Sequence, residues 1–521
     1  MRKQIKRLSA VISDWTLKIP KKSLTAFIIV CSTAVLLWFA DILIFGSIST
    51  QFKLFHMSAD EYLADFFNVV GYCGYNDPYN CTAYSGLQEK GYPPMSYLLL
   101  RPFSKLVDMD SYYKNNYFLS MRNEPKIALM YIIIVVLFLL VMYELIRSNI
   151  KGSANEKRLF AFLVVFSSPV IFTIERGNIL LLSALASTVF VFYYNSSNPV
   201  KKEAALLSLA FAFSLKIAPA ILGMLLITNK QYKEAVRSAL YGILMFLLPF
   251  AFIKGGFTNI PLFIRNIRYL SNWYFGTGDC TLQAAVGSVF PFLSFWFSGP
   301  LRIVVGAYLV ICSMFVKRRW EQAAMLCLAL LFIPTFSAYY NLLYFIPVLV
   351  LFFNEEERSD SDLAALVAFI LIFALRKWII GIFSNRIALL ILTLLLLGRG
   401  TSTFLKAVIE QLAKRGNPEL LEGKIYKILI GEKKIITKKQ RKELSKKAKI
   451  IRLSVLFFLL AIVSQAAIVV ENSPDLQKMF AYYYAVIDYK IGDVTDAEAI
   501  FDELDDYKDS KEMAEKCRGT Q

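Results

Sequence analysis

The stretch FLVVFSSPVIFTIERGNILLLSALASTVFVF, residues 162–192, is apolar on both sides of the four residues ERGN at 175–178. Basic residues flank it, KR before it and KK after it, and such residues tend to stay on the cytoplasmic side of a membrane. A chain that begins and ends on one side must cross outward and return, so ERGN is predicted to be the turn of a broken hairpin. Non-helical backbone at this depth is tolerated only where it lines a cavity in the protein. The stretch therefore predicts a membrane protein with a polar cavity on its outer side.

A second stretch of the same kind, residues 204–227, is interrupted by Lys216 and Pro219. Basic segments flank it as well, and each half has about a dozen residues, or roughly 18 Å of helix. An ammonium group at this depth is costly and implies a partner, for which an anionic ligand such as a lipid phosphate would serve. Four polar side chains of the two turns are expected to face one cavity: Glu175, Arg176, Asn178 and Lys216.

The composition is that of an integral membrane protein. Of the 521 residues, 56% are hydrophobic, and the mean hydropathy is +0.50. Repeated apolar runs are long enough to span a bilayer, so we predict an all-α, polytopic membrane protein with about 11–13 transmembrane helices, short broken hairpins included. The first apolar run, from Leu24 to Gly46, is too long for a signal-peptide core and is expected to remain as a helix.

The charges exclude several classes of protein. The net charge of +18 comes from 58 basic and 40 acidic residues. Because the basic residues lie between apolar runs, the positive-inside rule explains them without nucleic-acid binding.

The single histidine, His56, excludes a histidine-based triad and a histidine-rich metal site. No Walker motif is present, which argues against an ATP-driven pump.

The alternation of basic and apolar segments divides the chain into five parts. We predict a basic cytoplasmic N-terminus (1–22), a transmembrane module (23–398) with large outer loops at 48–123 and 255–285, a basic cytoplasmic loop (399–452), a last transmembrane helix (453–470) and an acidic helical tail (471–521). The tail resembles one tetratricopeptide-like repeat, and one such repeat cannot bury a core alone. It is expected either to dock on the outer loops or a partner, or to be a solubilising tail.

The first outer loop carries a group of carboxylates. In the segment HMSADEYLADFFNVV, residues 56–70, Asp60, Glu61 and Asp65 fall near one another if the segment is an amphipathic helix at the membrane surface. Carboxylates beside a cavity are candidates for function, whereas the alternative is an ordinary solvated face. Cys73 and Cys81 share this loop, and both a disulfide and two free thiols are compatible with it.

The same loop returns to the membrane through YPPMSYLLLRPF, residues 92–103. Tyr92, Pro93 and Pro94 are expected to fix a rigid helix start. Arg101 either extends to lipid headgroups or binds a phosphate.

The second outer loop combines cationic and aromatic side chains. Arg265 and Arg268 share one face of a predicted helix, with Trp273 and Tyr274 beyond it. Arginines hold phosphates and aromatic rings stack on sugars, but an aromatic belt at the membrane interface gives the same pattern.

These motifs, in this order, resemble the GT-C superfamily of multi-spanning glycosyltransferases, and most closely the polyprenyl-phosphate-mannose type of glycosyltransferase family 87. The resemblance covers roughly residues 24–350 and includes DPYN, YPP and RPF, followed by SSPVIFTIERGN and SLKIAPAIL. It implies a GT-C-like architecture for the predicted transmembrane module. It also implies inverting transfer of a hexose, expected to be mannose-like, from a polyprenyl-phosphate sugar to a cell-envelope glycan or lipid outside the cytoplasm.

The resemblance further implies that an aspartate of the first outer loop is the general base. Asp65 matches that position best by its distance to DPYN and YPP, and Asp60 is the reserve candidate. A histidine that assists in some relatives has no counterpart here. The phosphate leaving group needs positive charge, which is expected from Lys216, Arg176 and Arg101. Seven further residues are expected to shape the site or bind substrate: Glu175, Asn178, Tyr92, Pro93, Pro94, Arg265 and Arg268.

The expected partners follow from this chemistry. They are the lipid-phosphate sugar as co-substrate, a glycan or glycolipid acceptor and membrane lipids, with no nucleic acid. The tail is a candidate site for a protein partner. No cofactor and no metal site is predicted, although outer-loop carboxylates are of the type that binds divalent metals. The expected location is a bacterial plasma membrane.

Two other classes of function stay open at this point. A secondary transporter or flippase of an envelope precursor would also have broken helices and charges near the membrane midplane. However, no inverted repeat relates two halves of the sequence. A non-catalytic scaffold would recruit envelope enzymes through the tail, and deletion of the tail would separate it from an enzyme.

Overall fold

The structure is a computed structural model that describes residues 19–45, 63–74, 78–79, 90–109, 124–273, 278–357, 359, 361–375, 378–414 and parts of 478–520. Every regular element in these ranges is a helix and none is a strand, which confirms the all-α prediction. The described residues up to Lys414 and those from Lys478 onward belong to two separate compact units. Each unit is described by itself.

The first half of the larger unit leads from one long helix to the two broken hairpins. Its helices are α1 (Ile19–Phe45), α2 (Ala64–Gly74), α3 (Pro94–Ser104), α4 (Pro125–Asn149), α5 (Ala154–Val165), α6 (Ser168–Arg176), α7 (Leu180–Tyr193), α8 (Pro199–Leu215), a 3-10 helix (Ala218–Gly223), α9 (Met224–Thr228) and α10 (Tyr232–Leu247). Proline in the first turn starts α3, α4, α6 and α8, where its missing N–H costs nothing.

The second half contains shorter elements and ends in a long helix. They are 3-10 turns at Leu248–Phe252 and Gly256–Thr258, α11 (Asn259–Trp273), α12 (Leu282–Gly287), α13 (Pro291–Ser294) with a 3-10 turn at Phe295–Phe297, α14 (Pro300–Ser313), α15 (Arg319–Phe332), a 3-10 helix at Tyr339–Phe345, α16 (Ile346–Asn354), α17 (Asp362–Phe373) and α18 (Trp378–Lys414). The predicted domain boundary at residue 398 falls inside α18.

Within the described ranges, three segments are long and apolar enough to cross a membrane: Pro125–Asn149, Tyr232–Phe252 and Ser384–Lys414. Two bent helix pairs, α5 with α6 and Pro291–Phe297 with α14, raise this number to five if each pair is one span. Five shorter apolar helical segments accompany them. The last predicted span, residues 453–470, lies outside the described residues.

The two predicted hairpins are present and point the same way. The α5–α6 pair leads to Arg176 and α7 leads back, while α8 leads to Lys216 and the 3-10 helix with α9 leads back. Helices α7 and α8 pack along each other, and the Ser183 hydroxyl on α7 donates to the Ala212 carbonyl on α8 at 3.1 Å. The two turns therefore lie at one end of the bundle, called here the Arg176 end.

The other end of the bundle, called here the Arg318 end, is held by a charge cluster. Arg399 on α18 donates to Glu321 on α15 and to Asp362 on α17, each at 2.7 Å. Arg318 donates to Asp362 at 2.9 Å. The carboxylate side chains are only 7% and 6% exposed, so the cluster ties three helices together in a poorly solvated place.

We expect Arg399→Met to lower the free energy of unfolding by about 3 kcal/mol, because it leaves two buried carboxylates with one cation. The control is Arg147→Met. The Arg147–Glu144 pair has the same 2.7 Å distance, but its side chains are 41% and 55% exposed, so its loss should change stability little. Thermal unfolding of the detergent-solubilised protein checks this. Equal shifts in Tm for the two variants would contradict it.

The C-terminal unit contains the helix pair α19 (Val494–Leu504) and α20 (Ser510–Thr520). Phe501 and Cys517 are fully buried between the two helices, together with small alanine side chains. Arg518 on α20 binds Glu498 and Asp502 on α19 at 2.8 and 2.6 Å. These buried side chains and ion pairs hold α19 against α20.

Candidate active site

Asp65 lies in the first turn of α2 and is held by two donors from the ERGN turn. The guanidinium of Arg176 donates to one carboxylate oxygen at 3.0 Å, and the side-chain amide of Asn178 donates to the other at 2.5 Å. The Asp65 side chain is 15% exposed to solvent. An ionised carboxylate has about four acceptor positions, so the two bonds leave capacity for a further hydroxyl.

The close approach of α2 to the ERGN turn depends on Gly177. This residue ends α6 in the left-handed conformation at φ +70°. A Cβ added to it would lie 2.8 Å from the Phe66 Cβ and 3.0 Å from the Leu63 Cα. The Leu63 N–H donates to the Glu175 carbonyl at 2.7 Å. Glycine therefore allows the backbone contact that brings Asp65 to Arg176 and Asn178.

We expect Gly177→Ala to destabilise the protein more than Gly256→Ala. Both glycines have positive φ, and the left-handed conformation costs a non-glycine residue roughly 1–2 kcal/mol. Only Gly177 also lacks space, since a Cβ at Gly256 would meet nothing within 4 Å. The Tm of the two variants measures the difference. If both lowered Tm equally, the close approach would not be what requires glycine at 177.

Lys216 follows α8 in an extended conformation, as the C-cap residue. Its ammonium lies 5.2 Å from the centre of the Tyr92 ring and 5.0 Å from that of Tyr340, which is cation–π distance. Among the described residues, no carboxylate is at ion-pair distance from it, although Asp65 is close enough to act on it electrostatically. The site thus holds a cation between two aromatic rings beside an anion that is already paired.

The YPP segment is built against the same place. Pro93 caps α3 and Pro94 is its first residue. The buried hydroxyl of Ser96 donates to the Leu215 carbonyl at 3.0 Å. This bond holds the start of α3, and with it Tyr92, next to Lys216.

The other predicted site residues have different surroundings. Arg101 is two turns further along α3, and its guanidinium donates to the Phe252 carbonyl at 3.3 Å. Glu175 is buried, and its main-chain carbonyl takes part in the contact with Leu63. Arg265 and Arg268 are on the exposed side of α11. Asp60 lies outside the described residues.

The face of α11 opposite its arginines is buried. Asn266 donates to the carbonyls of Tyr79 and Lys90, each at 3.3 Å. A Cβ on Gly91 would lie 2.2 Å from the Leu270 side chain. The helix therefore packs on the segment that leads into YPP. Its two arginines, Arg265 and Arg268, face away from this contact.

Cys73 carries a free thiol that is buried and donates to the Tyr97 carbonyl at 3.2 Å. Burial raises the pKa of this thiol far above its ordinary value. Cys81 lies outside the described residues.

Tyr340 and the ion pair of Asp279 with Arg386 are features that sequence reasoning missed. The Cys280 N–H donates to the Ser337 carbonyl at 2.9 Å, so the loop carrying Asp279 contacts the turn that also carries Tyr340. Arg386 donates to Asp279 at 3.2 Å. Burial raises the pKa of Asp279 above its ordinary value, and the guanidinium of Arg386 opposes this shift. In the sequence, the only sign of this ion pair is the single aspartate of the second outer loop.

In the part of the chain that the structure describes, no three histidine, cysteine, aspartate or glutamate side chains come together as metal ligands. At the Arg176 end, the Asp65 carboxylate accepts from two donors, and Lys216 lies near two tyrosine rings. Such an arrangement can accept a proton from a hydroxyl and can stabilise a phosphate.

Comparison with known proteins gives one result. The sequence model of glycosyltransferase family 87 matches residues 91–339. No curated protein and no solved structure matches the chain. The matched region contains Tyr92, Arg176, Asn178 and Lys216, whereas Asp65 and α18 lie outside it. The match confirms the resemblance seen in the motifs.

Proposed function

We propose that the chain is a membrane glycosyltransferase of family 87, whose model matches residues 91–339, and that its donor is a polyprenyl-phosphate hexose. The acceptor is a glycan or lipid of the cell envelope, and transfer takes place on the outer side of a bacterial plasma membrane. Asp65 is the general base, and Lys216 holds the donor phosphate.

The single observation that carries the proposal is that Asp65 and Lys216 lie at the same end of the bundle, close enough to interact electrostatically. Lys216 has two tyrosine rings as neighbours and, among the described residues, no carboxylate at ion-pair distance. A partly buried cation without an anion is costly, which supports an anionic ligand at this place. A lipid phosphate satisfies the lysine, and the lipid chain would remain in the membrane.

The arrangement around Asp65 supports its role as a base. Arg176 and Asn178 fix both carboxylate oxygens, and a fixed carboxylate with free acceptor capacity is suited to take a proton from a hydroxyl. Arg176, at the same end of the bundle as Lys216, adds positive charge for the leaving phosphate. Asp60, the reserve candidate, stays a prediction.

The reaction then proceeds in one displacement. The acceptor hydroxyl gives its proton to Asp65 while its oxygen forms a bond to the anomeric carbon. The bond between that carbon and the phosphate oxygen breaks, and the electron pair leaves on the polyprenyl phosphate. Lys216 stabilises the charge that develops on this phosphate. Attack from the side opposite to the leaving group inverts the anomeric configuration.

The test is a transfer assay with the full-length protein in lipid nanodiscs. Polyprenyl-phosphate mannose and polyprenyl-phosphate glucose are the donors, and the release of polyprenyl phosphate is followed by mass spectrometry. Membranes from cells that lack the protein supply the acceptor. We expect release of polyprenyl phosphate to depend on these membranes and to need no nucleotide sugar. Transfer from a nucleotide sugar alone would overturn the proposed donor.

A further inference from the structure

Asn385, near the start of the membrane-spanning part of α18, is a buried amide without a partner. Its side chain is 1% exposed, and neither its amide nitrogen nor its oxygen has a hydrogen-bond partner in the described part of the chain. A buried polar group without partners destabilises a protein, so each such group in a native fold needs a reason. Polar residues inside a membrane span are costly and often functional.

Other unused hydrogen-bonding atoms occur nearby. The next residue, Arg386, forms an ion pair with Asp279, yet its Nε has no partner in the described ranges. The side-chain oxygen of Gln283 on α12 is also buried and unpaired there, and α12 packs against α18. The start of the membrane-spanning part of α18 and the helix α12 therefore offer both donors and acceptors that the described fold leaves unused.

The mixture of these atoms defines the ligand chemistry. An anion would use only donors and a cation only acceptors, while a sugar hydroxyl uses both. The ion pair of Asp279 with Arg386 is neutral overall, so it does not attract a charged ligand. A neutral, hydroxyl-rich group fits this set of atoms best.

The position fits a sugar as well. The loop of Gly278, Asp279 and Cys280 contacts Ser337, and a Cβ at Gly278 would lie 2.8 Å from the Ser337 carbonyl. Three residues after Ser337, Tyr340 flanks Lys216. One short turn, from Ser337 to Tyr340, thus links the region of the unused atoms to the proposed phosphate site. A sugar joined to that phosphate would lie next to the phosphate site.

We infer that Asn385, with Gln283 and the Asp279–Arg386 pair, binds the hydroxyl groups of a sugar during transfer. The inference rests on the proposed function. Because α18 lies beyond the region that matches the family, this subsite would set which sugar this chain accepts. The hydroxyls belong either to the donor sugar or to the acceptor glycan, and the experiment has one arm for each.

The first arm compares binding of polyprenyl-phosphate mannose and of bare polyprenyl phosphate to the full-length protein in nanodiscs. We expect the wild type to bind the mannose lipid more tightly than the bare lipid. Asn385→Leu should reduce this ratio of affinities about tenfold, the effect of about one hydrogen bond. Binding of the bare lipid should not change. The matched control is Thr393→Val, a buried residue of the same helix whose hydroxyl is already bonded to the Leu389 carbonyl.

Stability separates a binding role from a structural one. Asn385→Leu removes an unpaired amide, so its Tm should equal or exceed that of the wild type, whereas Thr393→Val removes a made bond and should lower it. A lower Tm for Asn385→Leu, with both lipid preference and acceptor binding unchanged, would overturn the inference.

The second arm measures the apparent KM for a methyl hexoside acceptor in the transfer assay. A rise in this KM for Asn385→Leu, with an unchanged donor preference, assigns the subsite to the acceptor. If neither quantity changes while the wild type binds and transfers, the subsite is wrong and the proposed function stands. If the wild type binds neither lipid, the proposed function fails and the subsite fails with it.

Discussion

Asp65→Asn is expected to lower the rate of sugar transfer by about 10²–10⁴-fold, the usual contribution of a general base. Asparagine keeps the size of the side chain and can still accept a hydrogen bond from Arg176, but it cannot take the proton of the acceptor. Binding of the donor lipid should change little, because the donor phosphate is assigned to Lys216. The transfer rate at saturating donor, measured in nanodiscs, checks this.

Asp108→Asn is the matched control, since Asp108 is an exposed carboxylate of the same outer segment. It should leave transfer unchanged. If Asp65→Asn transferred sugar at the wild-type rate with intact folding, Asp65 would not be the base, and Asp60 would be the next candidate.

Lys216→Met is expected to lower kcat/KM for the lipid donor by about 10²–10³-fold, as the loss of one preorganised charge-stabilising donor does in other enzymes. Unlike Asp65→Asn, it should also weaken the binding of bare polyprenyl phosphate. Lys216→Arg keeps the charge and should restore part of the binding. Titration of the full-length protein with bare polyprenyl phosphate measures this.

Lys201→Met provides the comparison for this second variant. The ammonium of Lys201 also lies over a tyrosine, at 5.4 Å from the Tyr193 ring, but at the Arg318 end of the bundle. It should leave lipid binding unchanged. If both lysine variants reduced binding equally, general attraction of the anionic lipid would explain the result, and the assignment of the phosphate to Lys216 would fail.

The turns of the hairpins could be predicted from the sequence, because charged residues that interrupt an apolar run in a membrane protein have few other places to lie. ERGN and Lys216 are found at such turns, both at the same end of the bundle. The YPP segment, predicted as a helix start, begins α3. These features are local, so residue order alone indicates them.

The partners across the site could not be predicted in this way. Tyr340 comes beside Lys216 only because the turn after α15 packs on the second hairpin, more than a hundred residues away in sequence. Arg386 reaches Asp279 through a contact between α18 and a loop. Conversely, Arg265 and Arg268 share a helical face as predicted, but that face is exposed, because α11 buries Phe263 and Asn266 instead.

One measurement tests the central claim most directly. The purified full-length protein, wild type or Asp65→Asn, is added to membranes lacking the protein together with polyprenyl-phosphate mannose labelled in the sugar, without any nucleotide. The account predicts that the label moves to an envelope glycan or lipid with the wild type and stays on the donor with Asp65→Asn, although both bind the donor equally. Labelled donor that crosses the bilayer intact with the wild type, with no transfer, would contradict the account and favour a transporter.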